Sequence, residues 1–308
     1  MSDHKEAKSF SRFGYIMVAA GAAIGLGNIW KFPYLAYGDG GGAFVLIYIV
    51  ICILLGHPIV QAEQAVGRRG RASAAASYGV IHPKWRFVGV INIVCTFLID
   101  IYYLVVSGWV LKYFVTYVVS GDFGKDKQAY FDNYISSTTQ PLIYSLIIIA
   151  IIVFFLFFGI TNIVEKASKV IMPMLAVLLL VCGIYALIVV PGAVDGLKYY
   201  FVPDFSKFGM QQFADACMQV CFSVGIGWGI FTTLGASMDK DANLKADAWW
   251  VDICDTFIAL LAGFVIIPTV VGTGSEMSSG PSLVFVAMTQ ILKRYRVEEL
   301  LVSFSSHL

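Results

Sequence analysis

The chain has 308 residues, 58% of them apolar and only 13% charged, with a formal net charge of +1. Soluble domains average roughly 45–50% apolar and about 25% charged residues, so this apolar surface cannot be hidden in one soluble core, and a near-neutral chain offers no broad basic face to nucleic acid. The composition is that of an integral membrane protein.

A helix needs about 20 residues to cross the roughly 30 Å hydrocarbon layer. The chain opens on the polar stretch MSDHKEAKSFSR, and the apolar run behind it lacks a small-residue cleavage pattern, which argues against a removable signal peptide. Segments long and apolar enough to cross follow at 13–37, 43–66, 87–119, 141–159, 168–190, 211–238 and 247–272, which predicts seven spans. The run LIYSLIIIAIIVFFLFF (142–158) is apolar all round, as contact with lipid requires. With the N-terminus inside, twelve Lys and Arg fall in cytoplasmic segments (Lys5, Lys8, Arg12, Arg68, Arg69, Arg71, Lys84, Arg86, Lys166, Lys169, Lys240, Lys245). Four fall outside (Lys125, Lys127, Lys198, Lys207). The excess orients the N-terminus to the cytoplasm and makes GRRGRASAAASYG a cytoplasmic loop. Six cysteines lie scattered through apolar segments without metal or disulfide spacing and read as buried free thiols. Beyond the seventh span the apolar run from Leu283 to Leu292 is too short to cross and is stopped by Lys293 and Arg294. The expectation is a chain cut short by a frameshift or premature stop; a natural short protein, or one completed by a second polypeptide, are the alternatives.

Two spans carry a defect. The first holds GLGN (25–28) in its middle, and the sixth holds FSVGIGWG (222–229) with Gly225, Gly227 and Gly229. Glycine costs about 1 kcal/mol per helix position relative to alanine. Non-helical backbone at membrane depth is tolerated only where protein or a water-filled cavity satisfies it. Paired breaks in two halves of a chain point to a transporter binding site, whose free amides suit an anion and free carbonyls a cation. Gly21 and Gly25 also form a GxxxG spacing, which a close helix contact alone would explain.

The blocks GAAIGLGNIWKFPYLAYGDGGGAF (21–44), AEQAVGRRG (62–70), IYYLVVSGW (101–109), KVIMPML (169–175) and CFSVGIGWG (221–229) closely resemble the sodium-coupled neurotransmitter and amino-acid symporters, bacterial branch. The resemblance runs in order over roughly residues 8–290. The bacterial leucine transporter of this family is the reference case for paired broken helices, so the breaks and the resemblance are one argument rather than two. The fold it implies is all-α, a leucine-transporter-type inverted repeat. Here that repeat would be incomplete: residues 1–190 would form the first five-helix unit, and residues 191–308 a partial second one with spans six and seven, an outer-loop helix at 280–288 and a divergent tail.

The resemblance also implies a site. The amides of Leu26 and Gly27 and the hydroxyl of Tyr103 would receive a substrate carboxylate; otherwise Tyr103 is an interface-belt tyrosine. The carbonyls of Ala23 and Phe222 and the hydroxyl of Ser223 would meet the amine, with Phe222 as the lid. Gly225, Trp228 and Ile99 would shape the side-chain end for an apolar or aromatic amino acid. One sodium would take the Ala23 carbonyl, Asn28, Ser223, Asp255 and the substrate carboxylate, a set of oxygen donors suited to a hard cation. A second would take the Gly21 and Ile24 carbonyls and hydroxyls of a further span. Glu63 would brace the unwound segments. Many relatives carry Asn where this chain has Asp255; the acid would supply the charge that chloride supplies in animal members, or merely pair with a neighbour. Asp100 would line a water path or bond a neighbouring hydroxyl, and Lys31 stands where many members have a gating Arg.

The function these expectations describe is sodium-coupled symport of an amino acid by alternating access, in the plasma membrane. Sodium is the coupling ion, no other cofactor is called for, and a homodimer is compatible with the family. The competing reading is a non-transporting membrane remnant or interaction partner. No nucleophile and base, metal cluster or cofactor loop points to an enzyme.

Overall fold

The Ser11 hydroxyl accepts the Gly14 amide at 3.1 Å and so caps the first helix, α1 (Arg12–Ala23). The structure, a computed structural model, describes residues 10–120, 123–124, 126–157, 160–239, 241–274, 277, 280 and 283–287. At Ile24 the backbone turns extended (φ −66°, ψ 111°), and α2 (Gly27–Gly38) resumes at 60° to α1 after opening with a π-wound turn. The chain then runs through α3 (Gly42–Gly70), which contains a π-wound stretch at Cys52–Gly56. Pro58 follows, and its missing amide removes one α-type bond where the winding changes.

The stretch expected as a cytoplasmic loop is partly helical. Arg71 ends α3 in the left-handed region, and Ser73 caps α4 (Ala74–Ile81). The remaining helices are α5 (Arg86–Val119), α6 (Lys127–Ser136), α7 (Thr139–Phe157), α8 (Ile160–Val189), α9 (Ala193–Phe201), α10 (Met210–Val224), α11 (Ile230–Ala236) and α12 (Leu244–Thr273). Among the described residues, five helices are long and apolar enough to cross a membrane, and the bent pair of α1 and α2 makes a sixth. The expected sixth span is α10 plus α11, each too short to cross alone. A π-wound turn at Leu283–Ala287 occupies the middle of the expected outer-loop helix; the tail from 288 onward lies outside the described residues.

The central helix is α12, whose Ala248, Val251, Ala259 and Ile267 are fully buried. Against it, Phe32 packs on Tyr48 and Phe44 with ring centroids 4.8 and 6.1 Å apart. By contrast α5, α7 and α8 turn most of their apolar side chains outward, as lipid-facing helices do. One end of the bundle gathers segments expected on the cytoplasmic side. There Arg12 pairs with Asp247 at 2.8 Å, Glu165 takes the Ser11 hydroxyl and the Lys169 ammonium at 2.6 Å each, and Arg68 bonds the Ala242 carbonyl at 2.8 Å. At the other end Gly41 bridges Pro203, and Tyr199 donates to the Tyr37 carbonyl. Of the six free cysteines only Cys52 is fully buried, so the expectation that all would be is too strong. Gly25 lies in the bend rather than on a helix, which removes the GxxxG contact reading of Gly21 and Gly25.

Candidate functional site

Breaking a helix frees the carbonyls of its last turn. Because α1 stops at Ala23, the carbonyls of Gly21, Ala22, Ala23 and Ile24 accept no hydrogen bond among the described residues. The Gly25 amide, which would otherwise reach back to Gly21, donates to the Asn28 side-chain oxygen at 2.9 Å. The second break repeats the pattern. Gly225 ends α10 at φ 75°, a conformation that side chains rarely adopt, and Cys221 takes the Gly225 and Ile226 amides. That leaves the carbonyls of Phe222, Ser223 and Val224 without a donor among the described residues.

Asp255, on α12, lies between the breaks. It is 0% exposed, and among the described residues its carboxylate meets only neutral donors: Asn28 donates to one oxygen at 2.8 Å and Ser223 donates to the other at 2.9 Å. Asn28 also reaches the Ser223 hydroxyl at 2.9 Å and the Asp255 carbonyl at 3.1 Å. No basic side chain pairs with Asp255 among the described residues. Three of the expected ion ligands thus meet in one hydrogen-bonded cluster drawn from α2, α10 and α12. The alternative that Asp255 pairs with a neighbour is met only by neutral donors.

An aromatic group borders the cluster. The Trp228 ring meets Phe222 edge-on at 5.5 Å and Tyr103 at 6.4 Å, while the Tyr103 hydroxyl faces the Leu26 amide. The Gly27 amide has no acceptor among the described residues. Ile99 sits half-buried one turn before Tyr103. Glu63 accepts the Gly227 amide at 2.7 Å but reaches no amide of the first break, so the expected brace holds one unwound segment rather than both. Asp100 is exposed and bonds no neighbouring hydroxyl among the described residues. The Lys31 ammonium stands 4.4 Å above the Phe222 ring. Just beyond the C-terminal end of α2, the Asp39 carboxyl is pushed up to about 6, by burial first and by the charge of Asp215 second.

Some residues escaped the sequence reading. Gln219, one turn before Ser223 on α10 and 0% exposed, donates to the Gly27 carbonyl at 3.0 Å and ties the two breaks together. His57 and Asp252 bond at 2.8 Å with the imidazole stacked on Trp249. Ionisable groups inside predicted spans are a signal in themselves, and Asp252, one turn before Asp255, could have been flagged by it.

The model of the sodium:neurotransmitter symporter family matches residues 7–121 and 131–305. The chain belongs to that family. Within it, an uncharacterized sodium-dependent transporter of Haemophilus influenzae is 33% identical over 293 residues, 90% of this chain and 64% of its own. The sodium-dependent transporter YhdH of Bacillus subtilis, also uncharacterized, is 32% identical over 299 residues, 96% of this chain and 66% of its own. The crystal structure of MhsT in complex with L-phenylalanine superposes with a TM-score of 0.85 at 34% identity, over 94% of this chain and 67% of that one. The chain is therefore an all-α membrane protein with the leucine-transporter-type fold of this symporter family, and it spans about two thirds of the length of the relatives it matches.

Proposed function

We propose that this polypeptide carries the ion and substrate site of a sodium-coupled amino-acid symporter working by alternating access. The observation that carries the reading is Asp255: a fully buried acid with neutral partners alone, beside two helix ends rich in free carbonyls. Buried charges are costly unless paired or bound to a metal, and an oxygen-only surrounding selects a hard cation. Sodium would take Asp255, Ser223, Asn28, the Ala23 carbonyl and the substrate's carboxylate. Sharing that carboxylate makes each ligand raise the other's affinity. The Gly21 and Ile24 carbonyls would serve a second sodium.

The substrate is an apolar or aromatic amino acid. Its carboxylate would lie on the Gly27 and Leu26 amides and the Tyr103 hydroxyl, and its amine on Ser223 and the Ala23 and Phe222 carbonyls. Its side chain would meet Trp228, Ile99 and the space beside Gly225. The phenylalanine of the MhsT structure supports this choice. The protein would reside in the plasma membrane with its N-terminus in the cytoplasm.

The test is uptake of labelled phenylalanine, tryptophan and leucine into vesicles containing the purified chain under an inward sodium gradient. Sodium-dependent uptake is expected, unchanged when gluconate replaces chloride. No uptake across a broad amino-acid panel would sink the transporter reading for this polypeptide and favour a non-transporting binding protein. Tyr103→Phe should raise the substrate KM about 10- to 100-fold, the worth of one hydrogen bond to a charged group, with little change in sodium affinity. An unchanged KM would remove Tyr103 from the site.

A further inference from the structure

An open groove of about 670 Å³ lies at the end of the bundle that gathers the basic segments, between α3 and the start of α12. Its walls are Pro58, Ala62, Ala65 and Leu244, and two cations line it, Arg68 and Lys245. The volume lies within the roughly 300–1,000 Å³ usual for small-molecule sites. Neither cation has a carboxylate partner among the described residues. Asp239 and Asp241 of the adjoining loop pair with neither, and the nearby Asp247 is taken by Arg12. Arg68 is held in place by its bond to the Ala242 carbonyl, made through one guanidinium nitrogen.

Two observations point to what fills the groove. Its cations are unneutralised, so the occupant is an anion. Its walls continue along the span as exposed apolar strips, with Leu54 71% exposed one turn before Pro58 on α3, and Trp250 and Ile253 52% and 48% exposed on α12. The two strips run side by side because His57 stacks on Trp249 across the helix pair. A free anion has no use for such strips, whereas an acyl chain does. Basic pockets between spans on the cytoplasmic side are the expected place for acidic lipid headgroups.

We infer that the groove binds an anionic phospholipid of the cytoplasmic leaflet, its phosphate between Arg68 and Lys245 and an acyl chain along the Leu54 and Ile253 strips. This site is separate from the proposed sodium and amino-acid site, and its occupancy can be measured without transport.

The experiment is native mass spectrometry of the purified 308-residue chain titrated with phosphatidylglycerol or phosphatidylcholine of identical acyl chains. Phosphatidylglycerol should bind at least tenfold more tightly. Lys245→Gln should weaken it about fivefold, Lys245→Arg should retain it, and the double variant Arg68→Gln with Lys245→Gln should bring the two lipids close to parity. The exposed Lys245 makes no side-chain hydrogen bond among the described residues, so its variants test the site without disturbing the fold. Equal binding of the two lipids by the unaltered chain, or an undiminished preference in the double variant, would overturn the inference. So would inorganic phosphate that displaces phosphatidylglycerol and binds as tightly alone, because the site would then belong to a free anion.

Discussion

Asp255→Asn should lower the apparent sodium affinity of uptake by about 30- to 5,000-fold in chloride-free medium, and chloride should restore part of the loss. The substitution is nearly isosteric, and the amide can still meet the two side chains that hold Asp255, Asn28 at 2.8 Å and Ser223 at 2.9 Å. What disappears is the one full negative charge of the cluster. Losing one partner of a buried charge pair costs about 2–5 kcal/mol, much of it the cost of leaving the other charge uncompensated. In the variant the sodium ion is that other charge, and a chloride ion drawn toward the site would offset it. The measurement is the sodium concentration for half-maximal uptake, in chloride and in gluconate. An unchanged sodium requirement would remove Asp255 from the ion site, and a loss that chloride cannot touch would refute the charge-replacement argument while leaving Asp255 a ligand.

Most of the architecture was legible because membrane spans are written in length and hydropathy, and the breaks in glycine. The glycines of FSVGIGWG mark the gap between α10 and α11, with Gly225, Gly227 and Gly229 at φ 75°, 81° and 71°. Short polar or mixed segments were harder. The helices α4, α6 and α9 lie outside the spans: α4 and α6 carry no hydrophobic period, α9 carries one over only nine residues, and a cap such as Ser73 is visible only once the helix is known. Within the site, Asn28 and Ser223 could be named from motif blocks far apart in the chain and Asp255 from the family resemblance along the seventh span, but their mutual hydrogen bonds depend on how three helices pack. Gln219 was missed for the same reason: a glutamine one turn before a motif looks ordinary until its amide is seen to hold the Gly27 carbonyl. Glu63 shows the opposite error, a brace expected on both breaks whose bonds fall on one.

Gly67→Leu should be the most destabilising change outside the site, lowering the unfolding temperature by about 6–20 °C. The C-terminal half of α3 and the helix α11 approach backbone to backbone. A Cβ on Gly67 would overlap the Thr232 carbonyl and lie 2.9 Å from the Ala236 nitrogen, and one on Gly235 would lie 2.9 Å from the Gln64 Cα. Two glycines facing each other's helix in this way form the small-residue contact through which membrane helices pack closely. Backbone cannot rotate aside as a side chain can, so the helices must separate. Gln64 and Thr232, both 0% exposed at this contact, would lose their packing. The cost falls among the exceptional overpacking cases, about 3–5 kcal/mol, which for a chain of this size corresponds to a few degrees per kcal/mol. The damage should also reach the site, because Glu63 lies one turn from Gly67 and holds the Gly227 amide at 2.7 Å. Gly38→Ala is the control: no atom lies within 4 Å of its added Cβ, and its φ is not in the left-handed region. Thermal unfolding in detergent with a bound-state reporter compares the three proteins. A Gly67→Leu protein that melts within about 2 °C of the unaltered chain would mean that α3 and α11 are not packed as closely as their glycines indicate.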